Sequence, residues 1–288
     1  MKLLSFPISL LLYSATVVIA SSEVIHPHGL EQRDITGHSE LAARAQFTFV
    51  VQCSPYKGKD GTPRKGARET CNTMCFGTKC HFKKNTYTFD GANEAKKRQR
   101  RQKAGCNPTK QNICKKNKKF RGKTGCDEFP LASTLEADKG NQIFRCVPEI
   151  DNNSQGGQAK SFTGNKSLCT KFPCKFSFSF EGAKPYKYCA SKPNCKSDGN
   201  FFTKGNKPVK RDLELEPEVE QGGYYQLRSG ATIYSPSDLE IGSFAVRNIY
   251  ANQTIDEAEA AHLEARGLFE DGDDDDEEMI QDEIIQKL

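Results

Sequence analysis

Two short stretches, CDEFPLAST at residues 126–134 and CVPEIDNNSQGG at residues 146–157, decide what kind of fold this chain adopts. The first stretch begins with a cysteine and places two adjacent carboxylates, Asp127 and Glu128, in front of an aromatic residue and a proline. Residues 141–147, just before the second stretch, have the apolar and aromatic composition of a β-strand. The two stretches therefore predict a strand that leads into a loop rich in oxygen-bearing side chains.

The second stretch carries an acid–amide pair, Asp151 and Asn152, followed by Gln155 and two glycines. Asp, Asn and Ser are the residue types that begin helices, so this segment also has the composition of a helix N-terminus. Carboxylate and amide oxygens are the ligands that Mg²⁺ takes in proteins. A cap and a metal site are compatible interpretations, because a residue at the start of a helix can also face a cation.

Together the two motifs resemble those of the NucA/NucB family of secreted deoxyribonucleases, which combine Asp-Glu-aromatic-Pro-x-Ala-Ser with Val-Pro, an acid–Asn pair and Gln-Gly-Gly. The resemblance covers residues 120–165 closely and residues 46–200 loosely. It implies an α+β fold, in which a small disulfide-rich domain contains a ββα metal-finger core related to the His-Me finger nucleases. It does not extend to the acidic C-terminal part of the chain.

For the individual residues, the resemblance implies that Asp127 is the general base and that Glu128 assists it or the metal. It further implies that Asp151, Asn152 and Gln155 hold or support a divalent cation, Mg²⁺ or Mn²⁺. The only histidine of the basic region, His81, is an alternative base. Asn152 also begins an N-glycosylation sequon, and because a glycan would obstruct the ligand position we expect Asn152 to be unmodified.

The activity expected from this resemblance is hydrolysis of DNA by an extracellular, metal-dependent endonuclease with little sequence specificity. Two alternatives stay open at the level of sequence. One is a ribonuclease on the same scaffold, because no residue distinguishes ribose from deoxyribose. The other is a non-enzymatic, cationic, cysteine-rich effector or antimicrobial protein that binds polyanions.

The charge of the chain is strongly segregated. Residues 53–211 contain 35 Lys and Arg against 12 Asp and Glu, whereas residues 212–288 contain 4 against 21. Phosphate contacts by such a basic segment give sequence-independent affinity for nucleic acid. The expected DNA-binding residues form two clusters. The first contains Arg98, Arg100 and Arg101 together with Lys96 and Lys97, and the second contains Lys115, Lys116, Lys118, Lys119, Arg121 and Lys123.

Cysteine usage and the N-terminus both indicate secretion. Residues 1–20 have the charged start, apolar run and small-residue end of a signal peptide, so the mature protein is expected to be extracellular and without a membrane segment. An even number of cysteines in an exported chain predicts a disulfide framework. A zinc site at Cys71, Cys75, Cys80 and His81 is the alternative. The cysteines are Cys53, Cys71, Cys75, Cys80, Cys106, Cys114, Cys126, Cys146, Cys169, Cys174, Cys189 and Cys195.

The sequence divides into a signal peptide at 1–20, a propeptide-like segment at 21–45, a basic nuclease-like domain at 46–211 and an acidic extension at 212–288. The dibasic pair Lys210 and Arg211 is a candidate processing site between the last two. We expect the extension to be partly disordered, and to cover the basic domain as an intramolecular polyanion until it is removed.

Local patterns predict strands over residues 46–53 and 175–180, and a basic helix over 93–103. The alternating phenylalanines of 175–180 are expected to pack in the core. A hairpin over 224–234 and an amphipathic helix over 255–268 are expected in the extension.

Overall fold

The computed structural model describes residues 47–106, 112–164, 169, 171–182, 186–209, 222–269 and 278–288. All of these residues belong to one compact unit, Ser39–Leu288. The predicted signal peptide, the propeptide-like segment and Lys210-Arg211 lie outside the described residues, as do residues 271–277 of the acidic block. In the described part of the chain, no helix has the length and apolar character needed to cross a membrane.

The helices and strands are numbered along the chain. The helices are α1 (Arg68–Cys75), which continues into a π-helical turn at Phe76–His81, α2 (Glu94–Ala104), α3 (Ile113–Lys116), α4 (Glu149–Thr163) and α5 (Glu257–Ala265). The strands are β1 (Phe47–Gln52), β2 (Tyr56–Lys57), β3 (Pro63–Arg64), β4 (Tyr87–Phe89), β5 (Gly125–Phe129), β6 (Ile143–Val147), β7 (Cys174–Glu181), β8 (Phe201–Thr203), β9 (Lys207–Pro208), β10 (Gly223–Leu227), β11 (Thr232–Ser235), β12 (Phe244–Asn248) and β13 (Met279–Lys287).

The two motifs of the sequence lie on one antiparallel sheet of order β5-β6-β8-β9 and on the helix that follows it. Strands β5 and β6 pair directly, with Asp127 opposite Arg145 and Cys126 opposite Cys146. Helix α4 begins directly after β6, at Glu149, and packs against β5. The order of elements is therefore β, β, α, and both motifs lie where the hairpin meets the helix.

A second sheet closes on itself. Its order is β1-β12-β13-β10-β11-β7-β4, and β1 also pairs with β7 in parallel register from Phe47 to Gln52. Because β1 is bonded to both β12 and β7, six strands form a closed barrel and β4 extends it at one side. Strands β10 to β13 come from the acidic extension, so the described part of that extension is built into the barrel.

The two faces of the barrel strands have different environments because side chains alternate along each strand. Inward-facing residues such as Val50, Tyr225 and Ile284 form a buried apolar cluster. Near it, Arg247 is fully buried and makes bidentate hydrogen bonds to Glu181 at 2.8–3.0 Å. A buried charge is stable only when it is paired in this way, so the ion pair fixes β12 against β7.

The outward faces of β1 and β7 form the main core with α4. Phe176, Phe178 and Phe180 are fully buried, as predicted, and Phe49 stacks on Phe162 of α4 with ring centroids 4.4 Å apart. The same core reaches β5 through Phe129. The ring of Phe129 packs directly on Gly77, and a Cβ atom added to Gly77 would lie only 2.1 Å from Cδ1 of that ring. The π-helical turn thus packs tightly behind the first motif.

All twelve cysteines are paired. The bridges are Cys53–Cys71, Cys75–Cys189, Cys80–Cys195, Cys106–Cys126, Cys114–Cys146 and Cys169–Cys174. The disulfide framework is confirmed. The predicted alternative, a zinc site, is wrong, because Cys71, Cys75 and Cys80 each form a disulfide with another cysteine and cannot bind zinc as thiolates. Two bridges, from Cys126 and Cys146, tie the β5–β6 hairpin to residues 106 and 114.

Candidate active site

Two adjoining cavities form a groove between helices α2 and α4, with β5 at its base. The first, the Asn152 cavity, has a volume of about 530 Å³ and is lined by Asn152, Asp127 and Lys115 among others. The second, the Leu131 cavity, has a volume of about 490 Å³ and is lined by Leu131 and Phe89 among others. Both cavities share five residues, which mark where they meet: Arg101, Glu128, Gln155, Gly156 and Lys160.

Glu128 lies at this junction because of its position on β5. Its carboxylate accepts a hydrogen bond from the Ala132 backbone N–H at 3.3 Å and lies 3.5 Å from Nε of Arg101 on α2. Burial raises the pKa of Glu128, and the Arg101 guanidinium opposes that increase. A carboxylate with a raised pKa is a stronger base near neutral pH than an ordinary glutamate.

Asp127 faces the other way, since neighbouring residues of a strand point to opposite faces. Its side chain is hydrogen-bonded to the Thr73 side chain on α1, and it is only 2% exposed. Burial raises the pKa of Asp127 well above its ordinary value, and the nearby carboxylates of Glu128 and Asp151 add to the effect. The residue borders the Asn152 cavity but not the Leu131 cavity, so the two predicted catalytic carboxylates are in different environments.

The first turns of α4 separate the three predicted metal ligands. Asn152 and Gln155 line the Asn152 cavity, but Asp151 lines neither cavity. Because successive helical residues are about 100° apart, Asp151 points away from the groove, towards α1. There its Oδ2 accepts a hydrogen bond from the Glu69 backbone N–H at 2.8 Å, in the first turn of α1. The residue before α1, Ala67, provides no side-chain cap, so Asp151 supplies that function from another helix.

One acidic residue of the Asn152 cavity was missed from the sequence. Glu149 lines the Asn152 cavity and lies 3.6 Å from Nζ of Lys115. It precedes Asn152 by three residues, a spacing that places both side chains on the same helix face. That spacing was the signal that could have identified it.

The cations predicted to bind DNA fall into three groups. Arg98, Arg101 and Lys115 line the groove. The cations at Lys116, Lys118, Lys119 and Arg121 are exposed on the surface beyond it, and Lys123 pairs with Glu69 at 3.4 Å. Arg100 was assigned incorrectly. It is 1% exposed, because it points from α2 into the protein and binds Asp90 and Asp138 through its guanidinium.

Two further cations line the groove. Lys97 of the predicted first cluster lies one helical turn before Arg101 on α2, and Lys160, which the sequence interpretation did not select, lies on α4. Lys160 follows Asn152 and Gly156 in steps of four residues, so it belongs to the helix face that lines the groove. Cations from both helices therefore face the junction at Glu128.

The groove offers oxygen donors for a hard divalent cation. Glu149, Asn152 and Gln155 provide one carboxylate and two amide oxygens around the Asn152 cavity. Mg²⁺ binds through one or two carboxylates and retains several waters, so this donor set fits a hydrated ion. Within the described residues, His, Cys, Asp and Glu form no cluster of three or more that could hold a metal ion.

The comparisons with known proteins agree with the location of the groove. Residues 74–172 match the family described as Deoxyribonuclease NucA/NucB. The match contains α2, β5, β6 and α4, the elements that form the groove, and excludes β1, β7 and the strands that complete the barrel. No curated protein and no solved structure matches the chain. Residues 74–172 of this chain are therefore similar to the NucA/NucB deoxyribonuclease family, and they contain the groove.

Proposed function

We propose that the groove is the catalytic site of an extracellular, metal-dependent endonuclease that hydrolyses the phosphodiester bonds of DNA with little sequence specificity. The observation that carries this proposal is the position of Glu128, where two cavities meet between cation-bearing helices. Six disulfides are typical of proteins that fold in an oxidising, extracellular environment. Lys97, Arg98, Arg101 and Lys160 supply phosphate contacts that do not depend on base identity.

Glu128 is the general base in this proposal, in place of Asp127. It is the member of the pair that lines both cavities. Burial raises the pKa of both carboxylates, so the position of Glu128, and not its pKa, distinguishes it from Asp127. It takes the proton of the attacking water, while Arg101 and Lys160 balance the negative charge that develops on the phosphate. Asp127 instead joins β5 to α1 through Thr73.

Glu149, Asn152 and Gln155 are the residues that would hold Mg²⁺ or Mn²⁺ beside Glu128. A cation bound there supplies Lewis-acid stabilisation of the phosphodiester oxygens. Asp151 is not among these ligands, because its carboxylate caps α1. Asn152 must be free of a glycan in this arrangement, since the sugar would occupy the cavity.

We also propose that the acidic extension inhibits the nuclease groove. In the described part of the chain, no residue after Thr163 lines either cavity of the groove. Helix α5 lies instead against the β2–β3 hairpin region, where Glu259 pairs with Lys57 and Glu264 with Lys65. The test is to replace the four aspartates at 273–276 by asparagine in the full chain. Unchanged nicking activity at low salt would reject inhibition by this block.

Plasmid nicking by the full chain tests the proposed activity and its metal requirement together. We expect nicking with Mg²⁺ or Mn²⁺ and none with EDTA. Glu128→Gln should abolish nicking, and Asp127→Asn should retain most of it because Asp127 is a buried structural group. Glu257→Gln on exposed α5 is the matched control and should behave as wild type. The assignment of the base is wrong if Asp127→Asn is inactive while Glu128→Gln still nicks DNA.

A further inference from the structure

The Leu131 cavity has apolar residues in its lining beside the charged ones. They are Phe89, Leu131, Ala132 and, on α4, Ala159. Glu128 and Gln155 line both this cavity and the Asn152 cavity, whereas Glu149 and Asn152 line only the Asn152 cavity. A strand of DNA whose phosphodiester lies at Glu128 must therefore extend over this apolar surface in one direction.

We propose that the Leu131 cavity is a subsite for one unpaired nucleotide, the neighbour of the phosphodiester that lies at Glu128. This inference rests on the proposed nuclease function and specifies its substrate, namely DNA with an unpaired base next to the cleaved bond. The volume of about 490 Å³ lies in the range of pockets that hold one small ligand. A base and its sugar are a ligand of that size.

The polar groups around the cavity match the charge of a nucleotide. Lys97 and Arg101 from α2 and Lys160 from α4 line it, so cations from two helices border its apolar residues. Besides Glu128, the Leu131 cavity is lined by one other carboxylate, that of Glu94, which is 2.8 Å from Nζ of Lys97 and 3.9 Å from Arg101. Because Glu94 is paired with these cations, it repels an incoming phosphate little. The apolar residues then contact the base, and the cations contact the flanking phosphates.

The passage between the two cavities is open to the backbone of a strand. Gly156 lies at the junction, and a Cβ placed there would meet no atom within 4 Å. The missing side chain leaves space for a sugar–phosphate chain directly over α4. A continuous path therefore runs from the Asn152 cavity past Glu128 into the Leu131 cavity.

The pairing state of the base follows from the shape of the groove. The cavity lies between two helices, so a base can enter it only after leaving the stack and losing its partner. Unstacking and unpairing cost a few kcal/mol in a duplex and little in a single strand. The subsite therefore favours single-stranded or gapped DNA over intact duplex, without reading the identity of the base.

Binding measurements in the full-length Glu128→Gln protein test the inference without relying on cleavage. Fluorescence anisotropy would compare a labelled single-stranded oligothymidine with the same strand in a duplex. We expect the single strand to bind at least about tenfold more tightly. Because apolar contact with a base does not depend on salt, the preference should remain as ionic strength rises and phosphate contacts weaken.

Filling the cavity should remove that preference. In Ala159→Phe the new ring occupies the cavity, and the ratio of the two affinities should fall to about one. Ser133→Phe fills the same cavity from a loop, and it serves if Ala159→Phe does not fold. Ala95→Phe adds the same ring on the exposed side of α2 and should leave the ratio unchanged.

Each outcome has a defined meaning. Equal affinity of the wild-type cavity for single strand and duplex, or a preference that survives both cavity-filling variants, overturns the subsite. Failure of the wild-type protein to nick DNA rejects the proposed function but leaves this binding result standing. The two proposals can therefore fail separately.

Discussion

Arg100 provides the sharpest test of how α2 works, because it belongs to the basic run predicted to bind DNA and yet points into the protein. Its guanidinium makes two hydrogen bonds to Asp90, at 2.7 and 3.1 Å, and two to Asp138, at 2.7 and 2.8 Å. It also donates to the Ala132 carbonyl oxygen at 3.0 Å. This network attaches α2, and with it Arg98 and Arg101, to the loop after β5.

Arg100→Met keeps much of the side-chain volume but removes every one of these hydrogen bonds. Breaking a buried ion pair by deleting one partner costs about 3–5 kcal/mol, because the other charge is left without compensation. The Asp90 side chain is only 11% exposed, so little water can replace the guanidinium. Since whole domains are stable by about 5–15 kcal/mol, we expect a large decrease in the free energy of unfolding.

The matched control is Arg98→Met, two residues earlier on the exposed side of α2, where it lines the groove. This change should alter the free energy of unfolding by less than about 0.5 kcal/mol. It should, however, weaken DNA binding and reduce the slope of log affinity against log salt by about one phosphate contact. Arg100→Met, in the fraction that is folded, should keep the wild-type slope.

Urea unfolding followed by circular dichroism measures stability, and anisotropy over a range of salt concentrations in the Glu128→Gln background measures DNA binding. The reasoning is refuted if Arg100→Met unfolds at the wild-type urea concentration while lowering the salt slope. Arg100 would then contact DNA, and its ion pairs would contribute nothing to folding.

Three further outcomes are expected. Burial raises the pKa of Asp90, but hydrogen bonds and the charges of Arg100 and Lys96 outweigh it and hold that pKa at about 2. Because this folded-state pKa is below the unfolded value, ionised Asp90 should contribute about 2 kcal/mol to the free energy of unfolding above about pH 4. That contribution should be lost as the pH falls towards 2. Urea titrations of Arg100→Met should not show this loss. Asp151→Asn keeps an acceptor for the Glu69 N–H, so this variant should nick DNA like wild type. In urea unfolding it should be more stable than Asp151→Ala by about 1 kcal/mol. If a folded Asp151→Asn protein is inactive, Asp151 is instead a metal ligand. Deleting residues 212–288 removes four of the six barrel strands and exposes Val50, which packs with Tyr225 and Ile284. The truncated protein should therefore melt well below the full chain, as followed by circular dichroism. A truncated protein of equal stability and higher activity would show that the extension is a separable inhibitor.

The local structure was largely predictable from the sequence. The strand at β1, the basic helix α2, the alternating strand β7 and the hairpin of β10 and β11 are confirmed. The helix predicted in the extension is also present as α5, but its residues are intermediate or exposed, so it has no buried face. These elements were predictable because periodicity and turn residues act over a few neighbouring positions.

The orientation of side chains within those elements was not predictable in the same way. Strand alternation places Asp127 and Glu128 on opposite faces, and the rotation of about 100° per helical residue turns Asp151 away from Asn152. Neither periodicity says which face meets the groove, because that depends on where α1 and α2 pack. Arg100 illustrates the point, since its basic neighbours gave no sign that Asp138 binds it from 38 residues away.

What the sequence determined by itself is the composition of the two motifs, the even set of cysteines, the concentration of positive charge and the family to which the motifs point. Only the tertiary structure decided which residues share the groove, which cysteines pair, and that the acidic extension supplies strands β10 to β13. The reason is physical. Strand β1 meets β12 almost 200 residues later, between Thr48 and Ala245, and such pairing depends on burial of apolar faces across the whole chain rather than on the charge of either segment. Charge segregation suggested a separable tail, but the alternation of buried residues such as Tyr225 and Leu227 within it completes the barrel.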